Sequence, residues 1–219
     1  DFKMGGLLHA KVLRSPYPHA KIIRIDASRA EKLPGVRAVL LPKDVPPISI
    51  APLLGDQQVL CTDNIVRCIG DPIAAVAADT SDIAEEALEL IEIDYEELPA
   101  IFDGEEAFST NPPVIVHPNV ANYKVGHLPV RLDPERPNVC QSYKIRCGDV
   151  AKGFEEADLI VENRYTTARV QHCQMECNAA DAWFEADGSL TIRSSSQMTW
   201  TFIPEIAELF NLPPSKVRR

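Results

Sequence analysis

The sequence predicts an α+β fold in two units joined by a proline-rich connection. Three observations carry that prediction. Residues 67–103, RCIGDPIAAVAADTSDIAEEALELIEIDYEELPAIFD, read as turn, strand, helix and strand. Apolar periodicity then fades between Phe108 and Cys147, where Pro112, Pro113, Pro118, Pro129, Pro134 and Pro137 punctuate the chain. It returns at Gly148 and brackets Asp187-Gly188, a pair that favours a tight hairpin.

In chain order, Leu7–Arg14 is a strand, and Ser15-Pro16-Tyr17-Pro18 turns the chain because each proline fixes φ and removes a donor. Ala20–Ile25 is a second strand. Asp26 is placed to cap a short helix, Ala27–Lys32, which Leu33-Pro34-Gly35 stops. Val36–Leu41 is a third strand, Pro46-Pro47 opens a loop, and Val59–Val66 is a further strand candidate. Gly70-Asp71-Pro72 is a turn, and Ile73–Ala78 is continuously apolar, as expected of a strand covered on both faces. Ser81 or Asp82 caps the next helix, with Asp82-x-x-Glu85 resembling a capping box. Ile83, Ala84, Ala87, Leu88 and Ile91 form its apolar stripe, and Glu85, Glu86 and Glu89 form a solvated face. Ile91–Tyr95 alternates as a half-buried strand; if parallel to Ile73–Ala78, the crossover between them is right-handed. After the connection, Asp149 caps a helix over Val150–Ala157, and Leu159–Tyr165 reads as a strand. Ala179–Phe184 and Leu190–Ser194 form the hairpin. Pro204 opens a helix through Phe210 that Asn211 ends, and Lys216–Arg219 starts another strand.

Composition limits the function. The chain has 219 residues, 45% of them hydrophobic, and a net charge of -10. That acidity argues against nucleic acid, whose phosphates need a basic footprint, and against an anionic membrane surface. No run approaches the ~18–20 apolar residues of a membrane helix, and the opening DFKMGGLL shows no signal peptide. The abrupt ends read as those of a fragment. Six cysteines (Cys61, Cys68, Cys140, Cys147, Cys173 and Cys177) without an export signal favour free thiols in the cytoplasm; disulfides, or zinc at His172-Cys173-x-x-x-Cys177, remain alternatives.

No glycine-rich phosphate loop, nucleophile elbow or His-Glu-x-x-His occurs. Ser194-Ser195-Ser196 lacks a glycine elbow and sits at a strand end. The densest functional cluster is Gln171–Asn178, QHCQMECN, where polar, ionisable and sulfur groups crowd between two predicted strands. It reads either as a hydrogen-bonded structural turn or as the lining of a ligand or cofactor cavity.

Several segments together resemble one family. Leu7–Asp26, Leu33–Val39, Ile69–Ala78 and Tyr95-Glu96-Glu97-Leu98-Pro99 resemble the α/β-hammerhead domain of the molybdenum-binding large subunit of the xanthine dehydrogenase/aldehyde oxidase family. Gly148-Asp149-Val150 through Asp158, His172-x-x-Met175-Glu176 and Ser195-Ser196-Gln197 resemble the first part of its molybdopterin-binding α+β domain. The resemblance implies a hammerhead over residues 1–107, a linker over 108–147 and a truncated cofactor domain over 148–219. It implies a molybdenum–molybdopterin cofactor in the full-length protein, with 2Fe–2S clusters and FAD on partner domains or subunits. The implied activity is hydroxylation of an aldehyde or heteroaromatic carbon with water-derived oxygen, or reduction of an aryl-CoA, in a cytoplasmic oligomer. Val170, Gln171, His172, Glu176 and Gln197 are the implied cofactor-side positions. The general-base glutamate is expected downstream, so no catalytic residue is assigned here and the fragment alone is expected to be inactive. Purine-oxidising members carry glutamine where Val170 stands, so the segment resembles more the 4-hydroxybenzoyl-CoA reductase-like branch or bacterial multi-subunit hydroxylases. The alternative is a non-catalytic, hammerhead-like interaction module that docks a partner through its acidic surface.

Overall fold

The computed structural model describes residues 4–48, 57–120, 133–196 and 201–218. Among the described residues, six strands build the first part: β1 (His9–Arg14), β2 (Ala20–Asp26), β3 (Val36–Leu40), β4 (Ile65–Val66), β5 (Pro72–Ala78) and β6 (Glu92–Glu97). They form two antiparallel three-stranded sheets, ordered β1-β5-β3 and β4-β2-β6. Helix α1 (Ser81–Glu89) links β5 to β6.

The apolar run of β5 is explained by its position at the centre of its sheet. Ala74, Val76 and Ala78 enter a core with Ala84 and Ala87 of α1, while Ile73 enters a second core with Ala20, Ile22, Cys61 and Val66. Each face of the strand thus meets a different layer, which is why no polar alternation is tolerated. Gly35 (φ +92°) lets the chain turn into β3 against α1: a Cβ there would lie 2.7 Å from Ile83 Cδ1.

Four expectations are corrected in this part. The cap of α1 is Thr80, whose extended backbone lets its side chain accept from Ile83 N at 3.2 Å; Ser81 and Asp82 are already helical. β5 and β6 lie in different sheets, so the crossover rule for parallel neighbours does not apply: β6 pairs antiparallel with β2, setting Ile22 opposite Tyr95. Ala27–Lys32 yields only a 3₁₀ turn, Ala30–Lys32, because the Asp26 carboxylate accepts from Ser28 N (3.0 Å) in a local turn instead of capping a helix. Of Val59–Val66, only Ile65–Val66 pairs. Asn64, at φ 60°, breaks the extended run before it, and Cys61 N is spent on Pro72 O at 2.9 Å.

The proline-rich connection begins after α2 (Gly104–Ala107), capped by Asp103, and its described residues form neither α-helix nor strand up to Gly148. It is strapped to the first part. Arg67 Nε donates to Val116 O (3.0 Å), and the Asn138 side chain bonds Val114 O and Val116 N. Arg136 stacks 4.5 Å from the Phe108 ring.

Further along, α3 (Val150–Glu156) is capped by Asp149, which accepts from Lys152 N at 3.0 Å. β7 (Ala180–Phe184) and β8 (Leu190–Ser194) form the hairpin about Asp187-Gly188, with Phe184 opposite Leu190. β9 (Val217–Arg218) adds parallel to β8. Helix α4 (Ile203–Leu209) completes a small core of Leu190, Ala207 and Val217, and Asn211 ends it at φ 52°. The expected strand Leu159–Tyr165 is absent. Its apolar residues are exposed, and among the described residues no neighbouring strand takes its backbone groups, without which extended chain is not a strand.

Among the described residues, no helix is long and apolar enough to cross a membrane.

Candidate functional site

The stretch Gln171–Asn178 leads directly into β7, so the hairpin is its nearest firm support. Ser195 anchors that hairpin's open end: its N donates to Ala179 O (3.0 Å) and its Oγ accepts from Ala179 N (3.0 Å). Ser195 is therefore a structural hydroxyl, in keeping with its place just past a strand end. Upstream of Ala179 the chain is exposed. Val170 is 84% exposed, Gln171, His172 and Glu176 are exposed, and Met175 is 100% exposed. Cys173 sits at φ 43°, bending the backbone between His172 and Glu176. No hydrogen bond or ion pair joins Val170, Gln171, His172 and Glu176 among the described residues. Gln197 lies outside them.

The zinc alternative at His172, Cys173 and Cys177 finds no support: no group of three or more His, Cys, Asp or Glu is disposed to hold a metal among the described residues. All six cysteines are unpaired.

A more enclosed polar site exists elsewhere, and sequence reasoning missed it. A cleft of about 510 Å³ opens beside β4, lined by Arg14, Cys61, Arg67, Cys68 and Asp71 among others. The Asp71 carboxylate organises it, accepting from Arg67 N (2.7 Å), Cys68 N (3.2 Å) and Cys68 Sγ (3.0 Å). Burial pushes the Cys61 thiol up to about 12, helped by the charge of Asp71. Partial burial and the hydrogen bond to Asp71 push Cys68 up to about 11. Both thiols are protonated at neutral pH, so neither is an activated nucleophile. The available signal was the placing of two cysteines on either side of β4, next to the Gly70-Asp71 turn.

Comparison with known proteins decides the family. Residues 1–99 match the model described as "Aldehyde oxidase and xanthine dehydrogenase, a/b hammerhead domain". Residues 132–219 match the "Molybdopterin cofactor-binding domain". The chain belongs to the xanthine dehydrogenase/aldehyde oxidase family. Over 219 residues it is 38% identical to a probable xanthine dehydrogenase subunit of Bacillus subtilis, covering 100% of this chain and 27% of that protein. It is 35% identical over 218 residues to the nicotinate dehydrogenase large molybdopterin subunit of Eubacterium barkeri, covering 100% of this chain and 47% of that one. Quinoline 2-oxidoreductase from Pseudomonas putida 86 superposes with a TM-score of 0.77 at 26% identity, over 99% of this chain and 27% of that one. The chain thus spans between about a quarter and a half of these relatives' lengths. The two-sheet unit is the family's hammerhead, and the region from β7 to β9 lies in its cofactor-binding domain.

Proposed function

We propose that these residues form the hammerhead and the first part of the molybdopterin-binding domain of a larger molybdenum hydroxylase. The observation behind this reading is the ordered match of both domains along one chain, hammerhead first. The match to a cofactor domain favours the enzyme over a stand-alone hammerhead-like interaction module. The domain limits we adopt are 1–107, 108–147 and 148–219.

When bound, a molybdopterin centre supplies two-electron oxidation at a substrate carbon. The residues of this chain do not hold it on their own. Val170, Gln171, His172 and Glu176 stand in solvent with no cavity between them among the described residues. They remain our candidates for the cofactor side of the assembled protein, together with Gln197. The substrate is proposed to be a small aldehyde or N-heteroaromatic compound, or an aryl-CoA. Val170 in place of glutamine weighs against a purine, although the B. subtilis relative carries a xanthine dehydrogenase name. We further propose iron–sulfur and FAD domains or subunits as electron-transfer partners, in a cytoplasmic oligomer; six unpaired thiols fit a reducing compartment.

The test is metal and pterin analysis of the native gene product, co-expressed with its genomic neighbours. Molybdenum, iron and pterin together are the expected result. A folded, fully matured preparation lacking all three would overturn the enzyme reading.

A further inference from the structure

The cleft beside β4 has the features of a binding site for a small organic anion. All the residues lining it lie between Arg14 and His117, in the hammerhead and in the connection strapped to it. At about 510 Å³ it falls within the range of small-molecule pockets. Its charge runs against that of the chain. Two guanidinium groups, Arg14 and Arg67, and one carboxylate, Asp71, line it, whereas the whole chain carries a net charge of -10. The Asp71 carboxylate is already engaged by Arg67 N, Cys68 N and Cys68 Sγ. Arg67 is equally committed, giving Nε to Val116 O, Nη1 to Ile65 O and Nη2 to Asp63. Arg14 differs. Its Nη1 donates to Gly70 O at 2.8 Å, which ties the guanidinium to the Gly70-Asp71 turn, and among the described residues it forms no ion pair. That leaves the Nε–Nη2 edge, a fork that binds a carboxylate through two parallel N–H···O bonds. Elsewhere the lining is apolar: Ile65, Pro72 and Val116 stand with the buried Cys61.

We propose that this cleft binds a small organic monocarboxylate, its carboxylate on Arg14 and its apolar body against Ile65, Pro72 and Val116. The proposal does not depend on the hydroxylase reading of the longer protein. A neutral ligand leaves the Arg14 fork without an acceptor, and inorganic phosphate leaves the apolar walls wet. One carboxylate on an apolar body satisfies both.

The probe is benzoate, added to the full-length gene product at constant ionic strength. The readout is the iodoacetamide labelling rate of Cys68, which lines the same cleft, so benzoate held at another site does not register. Benzoate at about ten times its dissociation constant is expected to slow Cys68 about tenfold, because only the unoccupied fraction reacts. Arg14→Gln is expected to weaken that protection about tenfold, with Cys61 still the slowest thiol as the sign of an intact cleft. Benzamide, the neutral isostere, and inorganic phosphate are expected not to protect. No slowing of Cys68 up to about 50 mM benzoate, beyond the millimolar end of small-ligand affinity, overturns the proposal. So does equal protection by benzamide, which removes the carboxylate from the recognition, or by phosphate, which removes the apolar body. Undiminished protection in folded Arg14→Gln overturns it as well. The comparison of benzoate with benzamide uses the unmutated protein and stands whether or not the variant folds.

Discussion

Residues 4–99 and residues 133–218 are built from the same kinds of parts, short strands and capped helices, yet only the first set closes on itself. In the first part, β5 is flanked by strands on both edges and by a core on each face. In the second, among the described residues, one sheet of three strands gathers a small core, and the apolar run Leu159–Val161 faces solvent. Apolar content does not separate Ile73–Ala78 from Leu159–Tyr165; the supply of partners does. A strand is a statement about two chains, because its backbone groups must be paired by a neighbour.

Aspartate substitutions at Val76 and Val161 break or keep the comparison most directly. Val76 is 1% exposed and surrounded by apolar side chains, so Val76→Asp buries a charge with no partner. A loss of about 4–5 kcal/mol is expected, enough to unfold the hammerhead. Val161→Asp, at an exposed site, is expected to change stability by less than about 0.5 kcal/mol in this chain. Urea titration followed by far-ultraviolet circular dichroism distinguishes them, and equal losses would refute the contrast.

Thiol chemistry gives the next largest difference. Cys61 and Cys68 belong to the hammerhead cleft, and Cys140, Cys147, Cys173 and Cys177 are exposed farther along. Raising a thiol from 9.0 to about 11 lowers its thiolate fraction at pH 8 about 100-fold, and raising it to about 12 lowers it about 1,000-fold. Iodoacetamide is therefore expected to label Cys140, Cys147, Cys173 and Cys177 before Cys68, which is exposed but bonded to Asp71, and Cys61 last, as followed by peptide mass spectrometry. Asp71→Asn, which removes the charge beside both thiols, is expected to speed labelling of Cys68.

Most of the hammerhead was legible because its signals are local and mutually consistent. The run Ile73–Ala78, the stripe from Ile83 to Ile91 and the alternation around Ile93 each report one element whose partners lie within the same hundred residues. Local signals fail where the outcome is a choice among partners. Periodicity cannot say that β6 joins β2 instead of β5, nor that Thr80 outcompetes Ser81 for the cap by being the last extended residue. The cluster Gln171–Asn178 was legible as a set of functional side chains and not as a site, because no described residue within reach encloses it. The cleft at Asp71 was the reverse: its members are scattered from Arg14 to His117, and only folding brings them together.

Gly35 probes how tightly the hammerhead closes. Gly35→Ala places a Cβ 2.7 Å from Ile83 Cδ1 at a positive φ, so strain and crowding add. A destabilisation of about 1–3 kcal/mol is expected by urea titration. Ile83→Ala in the same background is expected to recover the crowding part and leave the backbone part. By contrast, Gly148→Ala meets nothing within 4 Å, so only the positive φ of 68° acts, and its effect is expected to be smaller.

Acid titration gives the smallest and most local contrast. In the second part, hydrogen bonds from Ser189 Oγ and N hold the Asp187 carboxyl down at about 2, with Lys216 adding to the effect. A carboxyl lowered on folding from 3.8 stabilises the fold above that value, and the stabilisation is lost as pH falls toward 2. Asp187→Asn is therefore expected to remove the pH 4-to-2 dependence of amide exchange in β7 and β8. Arg37 likewise holds Asp79 low in the hammerhead, where Asp79 N also bonds Gly35 O at 2.9 Å. The hammerhead's own acid response is expected to survive Asp187→Asn unchanged, since the Asp187 carboxylate bonds Ser189, Lys216 and Arg218, all within the hairpin, β9 and the segment leading into it. If the variant flattened the response of both parts, they would fold as one cooperative unit and the contrast between a closed and an open region would dissolve.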